Sequence, residues 1–261
     1  MGPLHGRTVI ELAGIGPSPM AGMILADMGA TVIRVERPGA ADPMAAKDAS
    51  FRGKKSVMLN LKYPQGVDTL LRMVEHAQVL IDPYRPGVCE KLGIGPEPCL
   101  ARNPALIYGR MTGWGQDGPM GQMAGHDINY LAITGALHAI GPKEKPVPPL
   151  NIVADFAGGG MMLLVGILAA VYETGASGQG QVVDTGMSDC VPLLLGSAYT
   201  RMAAGNWDDE RECNLLDGAA YFYSVYECSD GKFISLGSIE PQFHAELLEL
   251  LGLADDPLFH R

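Results

Sequence analysis

The stretch TVIELAGIGPSPMAGMILADMGATVIRV, residues 8–35, decides the fold. Its two ends, TVIEL at 8–12 and TVIRV at 31–35, are short β-branched and apolar runs that are typical of buried strands. Between them a loop over 13–19 leads into a helix predicted over 20–28. Two strands joined by one helix within about 30 residues favour a parallel pair. We therefore expect an α/β fold with a parallel sheet.

The loop after the first strand, GIGPSP at 14–19, departs from the G-x-G-x-x-G pattern of dinucleotide-binding loops. Its two prolines stiffen the turn. The sequence therefore supports a nicotinamide site only weakly.

Further elements continue the alternation of strands and helices. The apolar patterns predict strands over 56–61, 79–81, 105–108 and 181–184, and helices over 64–76 and 161–174. After residue 206 the composition shifts to twelve acidic and three basic residues. In that part, SDG at 229–231 predicts a hairpin between 221–228 and 232–237, and a helix follows over 241–251.

Composition and charge narrow the function classes. The 261 residues are 47% hydrophobic and 18% charged, with a net charge of −10, which disfavours binding to nucleic acid or an anionic membrane. Five cysteines without a C-x-x-C pair indicate reduced thiols in an intracellular compartment, and the scattered histidines predict no metal site. We expect the cytoplasm for a bacterial protein and the peroxisome or mitochondrion for a eukaryotic one. The opening residues 1–8 show no signal peptide.

One apolar segment, residues 152–172, is long enough to span a membrane. Asp155 near its start and the glycines at 158–160 instead favour a loop that leads into a buried helix, because a carboxylate is costly inside a bilayer.

Positive charge is concentrated between residues 34 and 62, where seven basic residues face three acidic ones. The basic residues are Arg34, Arg37, Lys47, Arg52, Lys54, Lys55 and Lys62. Such an island is either a solvated surface or a site for a phosphorylated small molecule. Both interpretations remain open at this point.

The stretch GHDINY, residues 125–130, carries the most reactive residue types. Apolar residues then continue to Leu137 at roughly helical spacing, so His126 and Asp127 are predicted to start a helix. An imidazole there can move a proton and stabilise the anion that forms. The alternative is an ordinary helix start with a surface histidine, and Asp155 can likewise be a simple helix cap.

Seven motifs together make the sequence resemble the family III CoA-transferases, and within them the enzymes that epimerise 2-methylacyl-CoA thioesters. They are VIELAGIGPSP (9–19), RPGV (85–88), YGRMTGWGQDG (108–118), GHDINY (125–130), PLNIVADFAGGG (149–160), GQGQVVD (178–184) and IEPQF (239–243). The resemblance implies a large Rossmann-like domain over 1–200, a smaller α/β domain of which 206–261 is part, and an interlocked homodimer. Family members continue beyond Arg261, so we expect a C-terminal return segment to be absent from this sequence.

The resemblance also implies roles for individual residues. His126 and Asp155 match the acid–base pair, Glu240 matches the carboxylate that supports the histidine, and Asp127 is placed with them. The substrate carries coenzyme A, and no other cofactor is expected. The implied CoA contacts are Arg37, Leu59, Asn60, Leu61, Lys62, Pro83, Tyr84, Arg85, Lys91, Gly125 and Tyr130.

Two other functions remain open. In a family III CoA transferase an aspartate at position 155 would be the nucleophile that forms an acyl anhydride. A chain without the C-terminal segment could also bind CoA esters without turnover. The presence of His126 and Glu240 favours proton transfer.

Overall fold

The structure, a computed structural model, describes residues 2–39 and 47–259, and its contacts divide the chain into two units. The first comprises residues 1–134 and 149–195, and the second comprises 135–148 and 196–261. The sequence-based expectation assigned all of 1–200 to the large domain. Residues 135–148 belong with the second unit because Arg211 donates hydrogen bonds to the carbonyl oxygens of His138, Pro142 and Lys143.

The strands of the first unit are β1 (Thr8–Leu12), β2 (Thr31–Glu36), β3 (Lys54–Met58), β4 (Val79–Asp82), β5 (Ile107–Thr112) and β6 (Gln181–Gly186). They form a six-stranded sheet in the order β3-β2-β1-β4-β5-β6, and every neighbouring pair is parallel. This confirms the expected α/β fold with a parallel sheet. The order reverses between β1 and β4, and ligands of open α/β sheets bind at such a switch point, beyond the carboxyl ends of the strands.

The helices of the first unit cover both faces of the sheet. They are α1 (Pro17–Asp27), α2 (Pro64–Val74), α3 (Val88–Lys91), α4 (Pro96–Arg102), α5 (Asp127–Ile133), a π-helix (Ile152–Met161), α6 (Met162–Ser177) and α7 (Met187–Leu194). On one face, apolar residues of β1, β4 and β5 pack against α2 and α4, with Ile10, Leu80 and Tyr108 fully buried. Strands that are buried on both faces read as continuous apolar runs, which explains why they were recognisable in the sequence.

Several predicted boundaries differ from the structure. Helix α1 begins at Pro17 rather than residue 20, because proline is tolerated in the first turn, where no N–H bond is required. Strand β3 occupies Lys54–Met58 rather than 56–61. Residues 152–161 form a π-helix that continues into α6, not the predicted loop. Helix α5 ends at Ile133, before the predicted Leu137.

Within the described part of the chain, one helical stretch, Ile152–Ser177, has the length and composition of a membrane-spanning helix. Its α6 portion packs on the sheet. A Cβ added at Gly109 of β5 would lie 3.1 Å from Leu163 and 3.2 Å from Ile167, and one added at Gly166 of α6 would lie 2.5 Å from Val183 of β6. These close approaches are those of a helix against a sheet.

The second unit contains α8 (Gly196–Ala203), the antiparallel hairpin of β7 (Tyr223–Glu227) and β8 (Phe233–Gly237), and α9 (Pro241–Leu251). The hairpin and α9 confirm the sequence-based prediction. The Tyr221 hydroxyl lies 2.5 Å from Nε2 of the buried His244 and donates to the carbonyl oxygen of Phe259 at 2.7 Å. This contact joins the start of the hairpin, α9 and the turn at Pro257–Phe259.

A fully buried carboxylate organises the start of the sheet. Glu11 of β1 is 0% exposed, and it accepts hydrogen bonds from Arg34 of β2 at 2.6 Å and from Lys54 of β3 at 2.5 Å. Lys54 also donates to the Pro19 carbonyl oxygen at 2.8 Å, and Arg34 to that of Gly14 at 3.2 Å. Three strands, the loop after β1 and the first turn of α1 are therefore held by one ionic network.

Gly22 of α1 leaves the space that this network needs, so we expect Gly22→Ala to destabilise the fold. The added Cβ would lie 1.8 Å from Glu11 Oε2 and 3.1 Å from Lys54 Nζ. Displacing a buried ion pair and overpacking its site should lower the free energy of unfolding by about 2–4 kcal/mol, measured in urea. Gly175→Ala in α6 is the control, because its Cβ meets nothing within 4 Å. This variant should raise the free energy of unfolding by up to about 1 kcal/mol, since alanine favours a helix over glycine. Equal stability of both variants would contradict the role assigned to the network.

Candidate active site

The candidate residues of the first unit gather at one edge of the sheet. Because the six strands are parallel, their carboxyl ends all lie at this edge, and the loops that follow the strands begin there. The loop with Gly14 and Gly16 follows β1, and Trp114 follows β5. The predicted CoA contacts that follow strand ends are Arg37 after β2, Leu59, Asn60, Leu61 and Lys62 after β3, and Pro83, Tyr84 and Arg85 after β4.

Asp155 lies in the first turn of the π-helix and is partly exposed. Its Oδ2 accepts a hydrogen bond from Nδ2 of Asn151 at 3.3 Å. Gly16, with a left-handed φ of 66°, lies beside it, so that a Cβ there would be 3.1 Å from the same oxygen. Burial raises the pKa of the Asp155 carboxyl, Asp127 adds to that rise, and Asn151 and His126 oppose it. The neutral form is therefore more accessible than in an ordinary aspartate.

His126 is the residue that caps α5, and its side chain is exposed. Its backbone N–H donates to Oδ1 of Asn129 at 3.0 Å, which fixes the start of the helix. The imidazole opposes the rise in the pKa of the Asp155 carboxyl. The next residue along the chain, Asp127, accepts the N–H of Asp155 at 2.7 Å, so the backbone beside His126 is joined to the backbone of Asp155.

Asp127 is buried and holds the backbone that carries Asp155. Its Oδ2 accepts the N–H of Ala154 at 2.8 Å and that of Asp155 at 2.7 Å. Its Oδ1 is also buried and has no hydrogen-bond partner among the described residues. Asp127 was predicted alongside the proton-transfer residues, and its oxygens here face the protein interior.

Tyr130 connects the catalytic and CoA-binding candidates. Its ring packs edge-on against Trp114, with centroids 4.7 Å apart, and both rings press on Gly125, where a Cβ would meet them at 2.8–2.9 Å. Burial raises the pKa of the Tyr130 phenol, Asp155 raises it further, and Arg85 lowers it. Arg85 and Asp155 therefore both lie within electrostatic range of the same side chain.

Two contacts fix the conformation of the turn after β4. Pro83 lies against Gly14, where an added Cβ would be 2.5 Å away, and the N–H of Tyr84 donates to Oδ1 of the buried Asp82 at 2.9 Å. Burial raises the pKa of Tyr84 to about 12, and Arg37 is among the cations that oppose the rise. This turn presents Arg85 to solvent.

The basic island splits into two sets. Arg34 and Lys54 are held by Glu11, and Arg52 pairs with Asp27, so these three are structural. The other four, Arg37, Lys47, Lys55 and Lys62, are exposed and form no ion pair within residues 2–39 and 47–259, and the same holds for Arg85 and Lys91 further along the chain. The second set is available for phosphate, and the interpretation of the whole island as one phosphate site is too broad.

Glu240 lies in the second unit, immediately before α9. Its side chain is exposed, and its carbonyl oxygen accepts the N–H of His244 at 2.9 Å. Its support for His126 stays a prediction.

Sequence reasoning missed Asn151 and Gly16, although Asn151 stands four residues before Asp155, a spacing at which side chains meet on a helix.

The sequence and the fold of this chain are similar to those of known proteins. A sequence model of CoA-transferase family III matches residues 4–261. An alpha-methylacyl-CoA racemase from Mus musculus is 48% identical over 98% of this chain and 66% of its own length, and one from Homo sapiens is 44% identical with the same coverage. The crystal structure of a CAIB/BAIF family protein from Brucella suis has a TM-score of 0.81 at 29% identity, over 99% of this chain and 72% of that one.

The chain thus spans about two thirds of the length of the curated relatives it matches. The family model covers nearly the whole sequence, and the relatives exceed 40% identity across it. This chain belongs to CoA-transferase family III.

Proposed function

We propose that this protein epimerises the α-carbon of 2-methylacyl-CoA thioesters by two-base proton transfer. Membership of the family supports a CoA thioester as substrate, and the relatives named alpha-methylacyl-CoA racemase support the reaction. The observation that carries the proposal is the hydrogen bond by which Asp127, the residue after His126, holds the backbone of Asp155, whose carboxyl pKa is raised.

The reaction needs two groups on opposite faces of the α-carbon. One removes the α-proton, the electron pair moves into the thioester carbonyl, and an enolate forms. The other group donates a proton to the opposite face, so no atoms or electrons are gained or lost. His126 and Asp155 exchange these roles according to which epimer enters. The proposal requires no cofactor besides the CoA of the substrate.

The raised pKa of Asp155 matters because a carboxylic acid must hold its proton to donate it near neutral pH. Burial is the largest cause of the rise, and an acyl group bound over Asp155 would exclude more water. The enolate oxygen would need hydrogen-bond donors, as in other reactions that develop an oxyanion.

The remaining expectations belong to the same proposal. The exposed cations Arg37, Lys62, Arg85 and Lys91 would bind the phosphates of CoA at the carboxyl edge of the sheet. Glu240 would support His126. The protein would form a homodimer and would act inside the cell, in the cytoplasm of a bacterium or in the peroxisome or mitochondrion of a eukaryote. Light scattering tests the dimer.

CoA transfer is the second candidate, and the family itself favours it, because the family is named for that reaction. Asp155 would then attack an acyl-CoA as a carboxylate and form an anhydride with loss of CoA thiolate. The thiolate would return to the aspartyl carbonyl and expel the donor acid, and an acceptor carboxylate would take over the CoA from the resulting aspartyl thioester by the same two steps in reverse. A nucleophile must be ionised, whereas burial and Asp127 favour the neutral form of Asp155. The same group thus suits proton donation better.

We expect this protein to exchange the α-proton of a 2-methylacyl-CoA with solvent and to bring both epimers to equal amounts without added cofactor. Proton NMR of either epimer in heavy water measures this directly. Loss of the α-proton signal at the rate of epimerisation supports the two-base route. No α-deuterium, together with transfer of CoA to a free carboxylate, would assign the chain to the transferases.

We expect His126→Ala and Asp155→Asn to slow α-proton exchange by about 10²–10⁴-fold, the usual contribution of acid–base catalysis. CoA affinity should change little, because neither side chain is proposed to contact phosphate. Wild-type exchange rates in either variant would refute the assignment.

Asp155→Asn should also raise the melting temperature at pH 7. The folded state raises the pKa of Asp155, so it favours the neutral acid. The stability that the neutral Asp155 carboxyl contributes is therefore fully present below the pKa of this group in the unfolded chain. It is lost as the pH rises through the higher pKa in the folded state. The gain should vanish below about pH 4. Asp184→Asn is the control, because burial also raises the pKa of Asp184. Its melting temperature at pH 7 should rise, while the rate of α-proton exchange should stay unchanged. An unchanged melting temperature at pH 7 would contradict this account.

Arg85→Ala should chiefly weaken binding. Loss of one charge-assisted hydrogen bond to phosphate should raise the dissociation constant of CoA by about 10- to 100-fold, with kcat nearly unchanged. Titration calorimetry with CoA gives the affinity. Arg102→Ala is the matched control, because Arg102 is an exposed arginine engaged by Glu75 and Asp68. Equal CoA affinity in wild type and Arg85→Ala would remove Arg85 from the CoA site.

A further inference from the structure

The Asp127 carboxylate bridges two separate segments of the candidate active site. Asp127 is the first residue of α5 and follows His126 directly, whereas the two N–H groups it accepts belong to Ala154 and Asp155. Both bonds are short, at 2.8 and 2.7 Å, and the residue is 6% exposed. One buried carboxylate therefore links the backbone beside His126 to the backbone of Asp155.

We propose that Asp127 is a positioning residue, whose carboxylate fixes the spacing of His126 and Asp155 and exchanges no proton with substrate. The inference rests on the proposed two-base function. It differs from the role suggested by the motif, in which Asp127 stands beside His126 as a further catalytic group.

The directions of its oxygens support this role. Oδ2 is occupied by two backbone donors, and Oδ1 is buried without a partner among the described residues. A group that transfers protons to a substrate must present an oxygen to the cleft. By contrast, a carboxylate that accepts two N–H groups at the start of a helix both caps it and places its side chains.

Asp127 also acts on the charge of Asp155. Its negative charge raises the pKa of the Asp155 carboxyl, in the same direction as burial. The other groups that face Asp155 are the imidazole of His126, the phenol of Tyr130 and the amide of Asn151, and Arg85 acts on Tyr130 in turn. Neutralising Asp127 should therefore lower the pKa of Asp155, whereas a purely mechanical bridge would leave it unchanged.

Two substitutions separate the bond from the charge. Asp127→Ala removes the acceptor and frees both N–H groups. Asp127→Asn keeps one oxygen for them, and its NH₂ group takes the place of Oδ1, which accepts no bond. Asn103→Ala is the control: Asn103 also caps the backbone with its side chain, donating to Val74 and Ala77 and accepting from Ala105.

Hydrogen exchange tests the bridge without need for turnover. In Asp127→Ala the amides of Ala154 and Asp155 should exchange at least about tenfold faster than in wild type, and in Asp127→Asn and Asn103→Ala they should stay protected. Unchanged protection in Asp127→Ala would refute the bridge even if the protein proves to be a transferase. If Asp127→Ala fails to fold, the Asp127→Asn variant tests the proposal instead. Equal amide protection in wild type and Asp127→Asn, with the shifted titration described below, would support it, and an unshifted titration would contradict it.

The pH dependence tests the charge. In Asp127→Asn the ¹³C titration of the Asp155 carboxyl, assigned with Asp155→Asn, should move to lower pH. The limb of kcat/KM that reports protonated Asp155 should move with it. In Asp127→Ala kcat/KM should fall by about 100-fold, the effect of misplacing a catalytic group by about 1 Å, and Asp127→Asn should recover most of it. An unmoved titration in Asp127→Asn, or an equal loss in both variants, would overturn the proposal.

Discussion

The ionic network of Glu11 is the constraint on which the first unit depends. A carboxylate in the middle of a buried strand is costly unless cations meet it, and Arg34 and Lys54 reach it from the next two strands. Because the same cations hold the carbonyl oxygens of Gly14 and Pro19, the network also sets the path of the loop after β1. That loop carries Gly16, which lies against Asp155. A structural ion pair therefore shapes one wall of the candidate site.

The second wall comes from the π-helix. Its wider turns bring Gly158, Gly159 and Gly160 against α1 and α7, with Pro17 and Val191 about 3.0 Å from the Cβ atoms that side chains would add. A long π-helix is rare and is found mainly at functional sites. Here its first turn is capped by Asp127 of α5 rather than by a neighbouring residue in sequence. The position of Asp155 is thus set by tertiary contacts from both sides.

Strand patterns predicted most of the fold, because continuous apolar runs such as 79–81 and β-branched segments such as TVIEL and TVIRV are typical of strands buried in a parallel sheet. The site was harder to predict. The motifs indicated His126 and Asp155, but the bonds that place them join residues 27 and 28 positions apart, and periodicity carries no such information. Lys54 shows the same limit: it reads as a surface lysine in the sequence, yet its side chain is 2% exposed because Glu11 draws it inward.

The two proposed reactions, proton transfer and CoA transfer, would use Asp155 in different protonation states. Transfer needs the carboxylate as a nucleophile, and epimerisation needs the acid as a donor in one direction. At Asp155, burial and the charge of Asp127 favour the acid, while Asn151 and His126 favour the carboxylate. A substrate that shields Asp155 from water would shift this balance toward the acid, and the negative charge of an ionised acceptor acid beside it would shift it in the same direction. The protonation state of Asp155, on which both proposed reactions depend, is therefore set by the groups around this carboxyl.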